Sequence, residues 1–139
     1  MDFLSAIKIS ASGLSAERTR VNAAASNLAN ANSTRGPDGL PYRRVTPVFS
    51  AEPLPGTGGI ESGVALVQVK ALVRDEGPGR PVYLPSHPDA NEEGFVTLPD
   101  VNPIHEIVNL LSASRAYEAN ATALETLKAM AGRALDIGR

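Results

Sequence analysis

The stretch VNAAASNLANANST, residues 21–34, holds no charged side chain and four asparagines, Asn22, Asn27, Asn30 and Asn32. Leading into it, apolar residues recur at Leu4, Ile7, Ala11, Leu14, Val21, Ala25 and Leu28, with Arg18 as the one charged interruption. Intervals that alternate three and four are those of an a/d heptad seam, so the spacing predicts one long helix. A soluble amphipathic helix normally covers its outer face with Glu and Lys. Here alanine, serine and asparagine stand in their place, and the heptad puts Asn27 and Asn30 at c and f, away from the seam. Small side chains admit a close neighbour, and amides hydrogen-bond without the desolvation cost of a charge. Two readings of that face stay open: a sparsely charged soluble surface, or a helix surrounded by other helices on most sides.

The C-terminal end repeats the pattern. Asn102-Pro103 supplies an N-cap followed by proline at the first helical position. A seam then runs through Leu110, Ala113, Tyr117, Asn120, Leu124, Leu127, Ala131 and Ala134. Ile104, Ile107, Val108 and Leu111 widen the apolar face near its start, and IVNLLSAS (107–114) is again uncharged. Asp2 is the expected N-cap of the first helix. Each helix of about 30 residues would be roughly 45 Å long.

Between the helices, residues 36–100 hold nine of the twelve glycines and ten of the eleven prolines. That concentration marks a turn-rich middle. Gly63–Val73 alternates Ala65, Val67, Val69, Ala71 and Val73 on one side, which predicts a strand with that face buried. Pro41–Phe49 is a second strand, made an edge by Pro47, and Phe95–Leu98 is a third. Pro37-Asp38-Gly39 and Glu76-Gly77-Pro78-Gly79 are turns.

At 139 residues, 4% aromatic and without tryptophan, the chain has few large side chains to fill a wide core. Thin, close helix packing is expected instead. A net charge of −2 with scattered basic residues argues against nucleic-acid binding. The absence of cysteine excludes disulfides and thiolate chemistry. No secretory signal and no run long enough to span a bilayer is read, so no direct membrane insertion is expected. Two histidines, His87 and His105, and no phosphate loop or hydrolase motif leave no catalytic set, no cofactor site and no metal site. DANEEGFVTLPD (89–100) nearly fits a calcium loop, but it lacks flanking helices and ends in Asp100 where a bidentate glutamate is needed. It reads as a polar turn with Gly94 at positive φ. Two helices cannot bury a four-sided surface against each other alone, so further copies or partner subunits are expected.

Both ends resemble one family. ASNLANANSTRGPDGLPYRR (25–44) is similar to the N-terminal signature of the bacterial flagellar rod and hook axial proteins, with Asn27, Leu28, Ala29, Asn30, Thr34, Gly36 and Tyr42 in the matching places. EIVNLLSASRAYEANATALETLKAM (106–130) is similar to their C-terminal signature at Asn109, Ser114, Arg115, Tyr117, Glu118, Ala119 and Asn120. GPDGLPYRR (36–44) and HPDANEEGFVTLPDVN (87–102) resemble the proximal-rod subgroup. The resemblance implies a structural, non-enzymatic subunit of the basal-body rod that crosses the periplasm. It also implies delivery by the flagellar type III export apparatus without a cleaved signal. Its implied partners are copies of itself, the other proximal and distal rod proteins and the export-gate adaptor at the rod base.

The expected fold is mainly α with a small β part: two long terminal helices forming an antiparallel coiled-coil pair, around a Pro/Gly-rich middle that contains a β-hairpin. The expected division is 1–34 for the first helix, 35–101 for the middle and 102–139 for the last helix. Leu4, Ile7, Leu14, Val21 and Leu28 are expected to meet Leu110, Tyr117, Leu124 and Leu127 between the helices. Asn27, Asn30, Asn109, Arg115 and Asn120 are expected to reach neighbouring subunits. The alternatives are a secreted coiled-coil adaptor or effector, and another rod subunit of the same family.

Overall fold

The first helix begins where its cap was expected. The Asp2 carboxylate accepts the Ser5 N–H at 2.7 Å, and the helix α1 runs Phe3–Ala29. A computed structural model describes residues 2–54 and 64–138 of the chain. After α1 come strands β1 (Val45–Pro53), β2 (Ala65–Arg74), β3 (Arg80–Tyr83) and β4 (Phe95–Leu98), then helix α2 (Pro103–Ile137). The described residues are thus mainly helical with a small antiparallel β part. The α2 cap is also the expected one: Asn102 accepts the Ile104 N–H at 3.0 Å, and Pro103 needs no partner for its nitrogen.

The β part consists of two separate hairpins, β1–β2 and β3–β4. In the longer ribbon Val48 faces Ala71 and Phe49 faces Val69, so Lys70 is left over as a bulge. Pro47 is accommodated because both strands of a two-stranded ribbon are edges. β1 runs back along α1. Its first residue, Val45, is bonded to Asn27, and Val67, opposite Ala51, donates its N–H to the Ser12 hydroxyl at 3.1 Å. Asn27 to Ser12 is about 22 Å of helix and Val45 to Ala51 roughly 20 Å of strand, so the two travel together.

The expected buried face of β2 is corrected. Ala65 and Val69 are half-buried, while Val67, Ala71 and Val73 are exposed, because the ribbon leans on α1 and carries no further layer. Gly63, the expected start of that strand, lies outside the described residues. The 89–100 segment is the polar turn anticipated: the Asn91 side chain accepts the N–H groups of Glu93 and Phe95, with Gly94 at φ +83°.

The core is small and made of small residues. Ala16, Ala23, Ala24, Ala31, Leu54, Val96, Val101 and Ala113 are its buried apolar members among the described residues. Two of the largest fully buried side chains are polar, Asn27 at 1% exposure and Glu106 at 2%. The expected α1 seam is only half right. Ile7, Leu14, Val21 and Leu28 are half-buried, but Leu4, Ala11, Arg18 and Ala25 are exposed. The ribbon and α2 occupy adjacent sides of α1, so the buried arc is centred on the alanine and asparagine face between them. On α2 the seam follows expectation more closely, with Ala113 buried and Leu110, Asn120, Leu124 and Leu127 half-buried, though Tyr117 is 39% exposed.

Candidate functional site

Chain reversal after α1 brings three distant pieces of sequence to one point. Asn30 ends the helix: its backbone N–H and its side-chain amide both donate to the Ser26 carbonyl, at 3.0 and 2.9 Å, while its side-chain oxygen accepts the Ser33 hydroxyl and its backbone carbonyl the Ser33 N–H. The chain then turns through Gly36 and Gly39, the latter at φ +77°, a conformation that costs a glycine little. Tyr42 follows and points back at the helix just left, bonding Ser26 and Asn27, while Arg44 reaches toward α2.

Asn27 is the hub. Its amide nitrogen donates to the Val45 carbonyl at 2.8 Å and to Glu106 Oε2 at 3.0 Å. Its oxygen accepts the Val45 N–H at 2.8 Å and the Tyr42 hydroxyl at 2.9 Å. All four capacities of the amide are used. Against Val45 it acts as a neighbouring strand would, exchanging both backbone bonds. Glu106 Oε1 accepts Arg44 Nε at 2.7 Å, and Arg44 reaches on to the Thr46 hydroxyl. Glu106 also sits in the first turn of α2, where the helix dipole favours a negative charge. Helix α1, the turn, β1 and helix α2 are therefore fixed to one another by one polar clamp.

A second tie reinforces the turn. The Thr34 hydroxyl donates to Asp89 at 2.8 Å, and Arg35 lies 3.3 Å from the same carboxylate. His87 Nδ1 accepts the Asp89 N–H at 3.1 Å. Asp89, the first position of the would-be calcium loop, is thus engaged with the residues after α1. Among the described residues no group of three or more His, Asp or Glu is placed to hold a metal ion.

Outside the clamp the helices keep unpaired faces. Ile104, Ile107, Val108 and Leu111 were expected to widen the apolar face of α2 near its start, but they do not lie on its α1-facing side. At 100° per residue they form a stripe on the opposite side, exposed by 70, 44, 59 and 54%. The seam between the helices also has an open groove, lined by Ala11, Leu14, Arg18 and Val21 from α1 and by Tyr117 and Glu118 from α2. No described helix is long and apolar enough to cross a membrane.

The residues expected to reach neighbouring subunits are placed unequally. Asn27 is a correction: it is buried and wholly engaged within its own chain, because the ribbon covers the face that the heptad left open. Asn30 caps its own helix. Asn109 lines a crevice with Arg20, Ala23 and Thr46. Asn120 bonds the Ala116 carbonyl and lies against Gly13, where a Cβ would come within 3.0 Å of its amide. Arg115 is exposed. Glu106 and Arg44 were missed as site residues. The signal for Glu106 was present: it is the one formal charge between Pro103 and Ser114, in a first turn just behind a cap.

Residues 7–37 match the family described as flagella basal body rod protein, and residues 92–137 match the flagellar basal body rod FlgEFG protein C-terminal family. The chain is 42% identical to the flagellar basal-body rod protein FlgC of Salmonella typhimurium, over 100% of both chains. It is 37% identical to that of Borreliella burgdorferi, over 99% of this chain and 98% of the relative. For the Bacillus subtilis relative the identity is 36%, over 96% of each chain.

Proposed function

The chain belongs to the FlgC family of flagellar basal-body rod proteins, and from that membership we infer how it serves as a structural subunit of the rod. It is a component of the basal body and not an enzyme, and its work is packing. The terminal helices form an antiparallel coiled-coil pair, with Leu14, Val21 and Leu28 facing Leu110, Tyr117 and Leu124. The contacts of Asn27 with Glu106, Val21 with the Ser114 side of the groove, and Gly13 with Asn120 support this, since position falls along α1 as it rises along α2. Residues 1–34 and 102–139 build the axial part, and 35–101 the outer part. Neighbours are other copies and the remaining rod proteins, with the export-gate adaptor below; the flagellar type III export apparatus delivers the chain.

One observation carries the reading. The chain's accessible surface is 9491 Å² at 14.5 kDa. A compact monomer of that mass exposes about 6,900 Å², leaving a surplus of roughly 2,600 Å², on the scale that an obligate assembly covers. The test is complementation of a strain lacking the gene. Leu28→Asp or Leu124→Asp is expected to abolish motility and incorporation into basal bodies while the chain is still exported. Normal swimming with either variant would refute the reading.

A further inference from the structure

Asp89 joins two parts of the chain that share no regular element. Its carboxylate accepts the Thr34 hydroxyl at 2.8 Å and lies 3.3 Å from Arg35, both in the turn after α1. Its backbone N–H donates to His87 Nδ1 at 3.1 Å, within the loop that connects β3 and β4. The loop is otherwise folded on its own backbone, with the His87 N–H on the Leu84 carbonyl and the Ala90 N–H on the His87 carbonyl, each at 3.0 Å. Among the described residues no other hydrogen bond or ion pair joins this loop to that turn.

A backbone N–H can only donate, so His87 Nδ1 must present its lone pair, and the ring proton must sit on Nε2. The bond therefore requires a neutral imidazole. In the imidazolium both nitrogens carry protons, and the Nδ1–H would face the Asp89 N–H donor to donor. Asp89 Oδ2 lies only 4.0 Å from the same Nδ1. A small turn of the Asp89 side chain toward the ring would replace the lost bond with a charge-assisted one. The charged groups that face the ring are the Asp89 carboxylate and, beyond it, Arg35; no other described residue pairs ionically with His87 or Asp89. Arg35 holds the carboxylate weakly, because its side chain is 68% exposed and water screens the attraction. Thr34 offers one neutral donor from 55 residues away in sequence, whereas His87 stands two residues off with no long loop to close.

We propose that His87 is a proton-operated latch on the second hairpin: with a neutral ring, Asp89 ties the β3–β4 loop to the turn after α1, and proton uptake by the ring draws the carboxylate off Thr34 and releases the loop. One proton enters from solvent at Nδ1, the Asp89 N–H loses its acceptor, and Oδ2 exchanges the Thr34 hydroxyl for the imidazolium N–H. The ring is one-third exposed, so the proton reaches it without unfolding. Closure goes with the deprotonated ring, so the latch is shut above the imidazole's titration and opens as pH falls through it. The Asn27–Glu106–Arg44 clamp holds no histidine and stays in place over the same range. The latch is a property of one loop and does not depend on how the chain packs with its neighbours.

Nuclear magnetic resonance of the full-length chain, titrated from about pH 8 to about pH 5, reads each step. At the upper end the ring nitrogen shifts of His87 should place the proton on Nε2, and the side chains of Thr34 and Asp89 should be in contact. Toward the lower end that contact should be lost as the ring titrates, and the Asp89 amide signal should move upfield with the same midpoint. His87→Gln carries a side-chain oxygen that accepts the Asp89 N–H at either pH, so its Thr34–Asp89 contact should persist throughout. His105→Gln should leave the transition as it is in the parent, which assigns it to His87. A ring proton on Nδ1 at about pH 8 would overturn the proposal. So would a Thr34–Asp89 contact that survives titration of the ring, or one that is lost with acid in His87→Gln as well. None of these readouts involves basal bodies, so the rod reading stands whichever is found.

Discussion

Asn27→Asp changes one atom of the clamp and should be among the most damaging single substitutions in the chain. The new carboxylate keeps the bonds its oxygen accepts from Val45 and Tyr42, but places a second oxygen 2.8 Å from the Val45 carbonyl and 3.0 Å from Glu106 Oε2. At 3 Å two carboxylates repel by about 5 kcal/mol even at an effective dielectric of 20. The cheaper course is to bind one proton between them. At pH 7 holding a proton on an ordinary carboxyl costs about 3.7 kcal/mol. The Val45 carbonyl then lacks a donor, for about 1 kcal/mol more. The expected loss at pH 7 is therefore about 4–5 kcal/mol, read by urea unfolding of the full-length chain with amide exchange at Val45 as the local probe. The sign with pH follows from the proton. The folded variant binds one more proton than its unfolded chain near neutrality, so its deficit shrinks as pH falls toward 4–5 and grows as pH rises. A variant within about 1 kcal/mol of the parent at pH 7, or one whose deficit grows on acidification, would refute this account of the clamp.

Two further outcomes follow from local geometry. A Cβ at Gly13 would stand 3.0 Å from the Asn120 amide, so Gly13→Val should loosen the helix pair by about 1–3 kcal/mol in thermal unfolding. Adding Asn120→Ala should recover part of that loss, and no recovery would mean the two residues do not share the space. At the other end of α1, hydrogen bonds from Ser5, its hydroxyl foremost and then its backbone N–H, hold the Asp2 carboxyl below its usual 3.8. A lowered value means the cap stabilises the folded form above about 3.8 and is lost as pH falls through the lowered value. Amide exchange at Ser5 should accelerate there in the parent, and Asp2→Asn should remove that acid dependence.

What the sequence made legible was whatever repeats or caps locally. Asp2 and Asn102-Pro103 are local patterns, and each caps the helix it was read to cap. The turn at Gly94 and the strand at Phe95–Leu98 were equally local. The α1 seam misled because a heptad count assumes one partner, whereas α1 has two on adjacent sides. The ribbon's return along α1 depends on pairings some 18 and 55 residues apart, which no period encodes. Asn27 was rightly singled out but given the wrong neighbour. Its amide meets β1 and Glu106 rather than another copy, and only the return of β1 decides between them.

The first turn of α2 is inside out for a free monomer, and that inversion ties the clamp to assembly. Glu106 points inward and is 2% exposed, while Ile104 on the opposite side is 70% exposed. Rotating the helix to exchange them would bury apolar surface worth about 1.5–3 kcal/mol for the isoleucine alone and would release a charge to water. The rotation is prevented by direction. Glu106 is gripped on one oxygen by Arg44 and on the other by Asn27, and Asn27 is in turn locked to both backbone groups of Val45. Removing one member of such a buried set costs about 3–5 kcal/mol, and the same rotation would also carry Ala113 and Leu110 out of the helix pair, which offsets what the apolar stripe would gain. The polar clamp thus holds α2 in the one rotation that keeps its apolar stripe free. In a chain that worked alone this would waste burial; in a rod subunit, which assembles with other rod components, it leaves the stripe free for a neighbour.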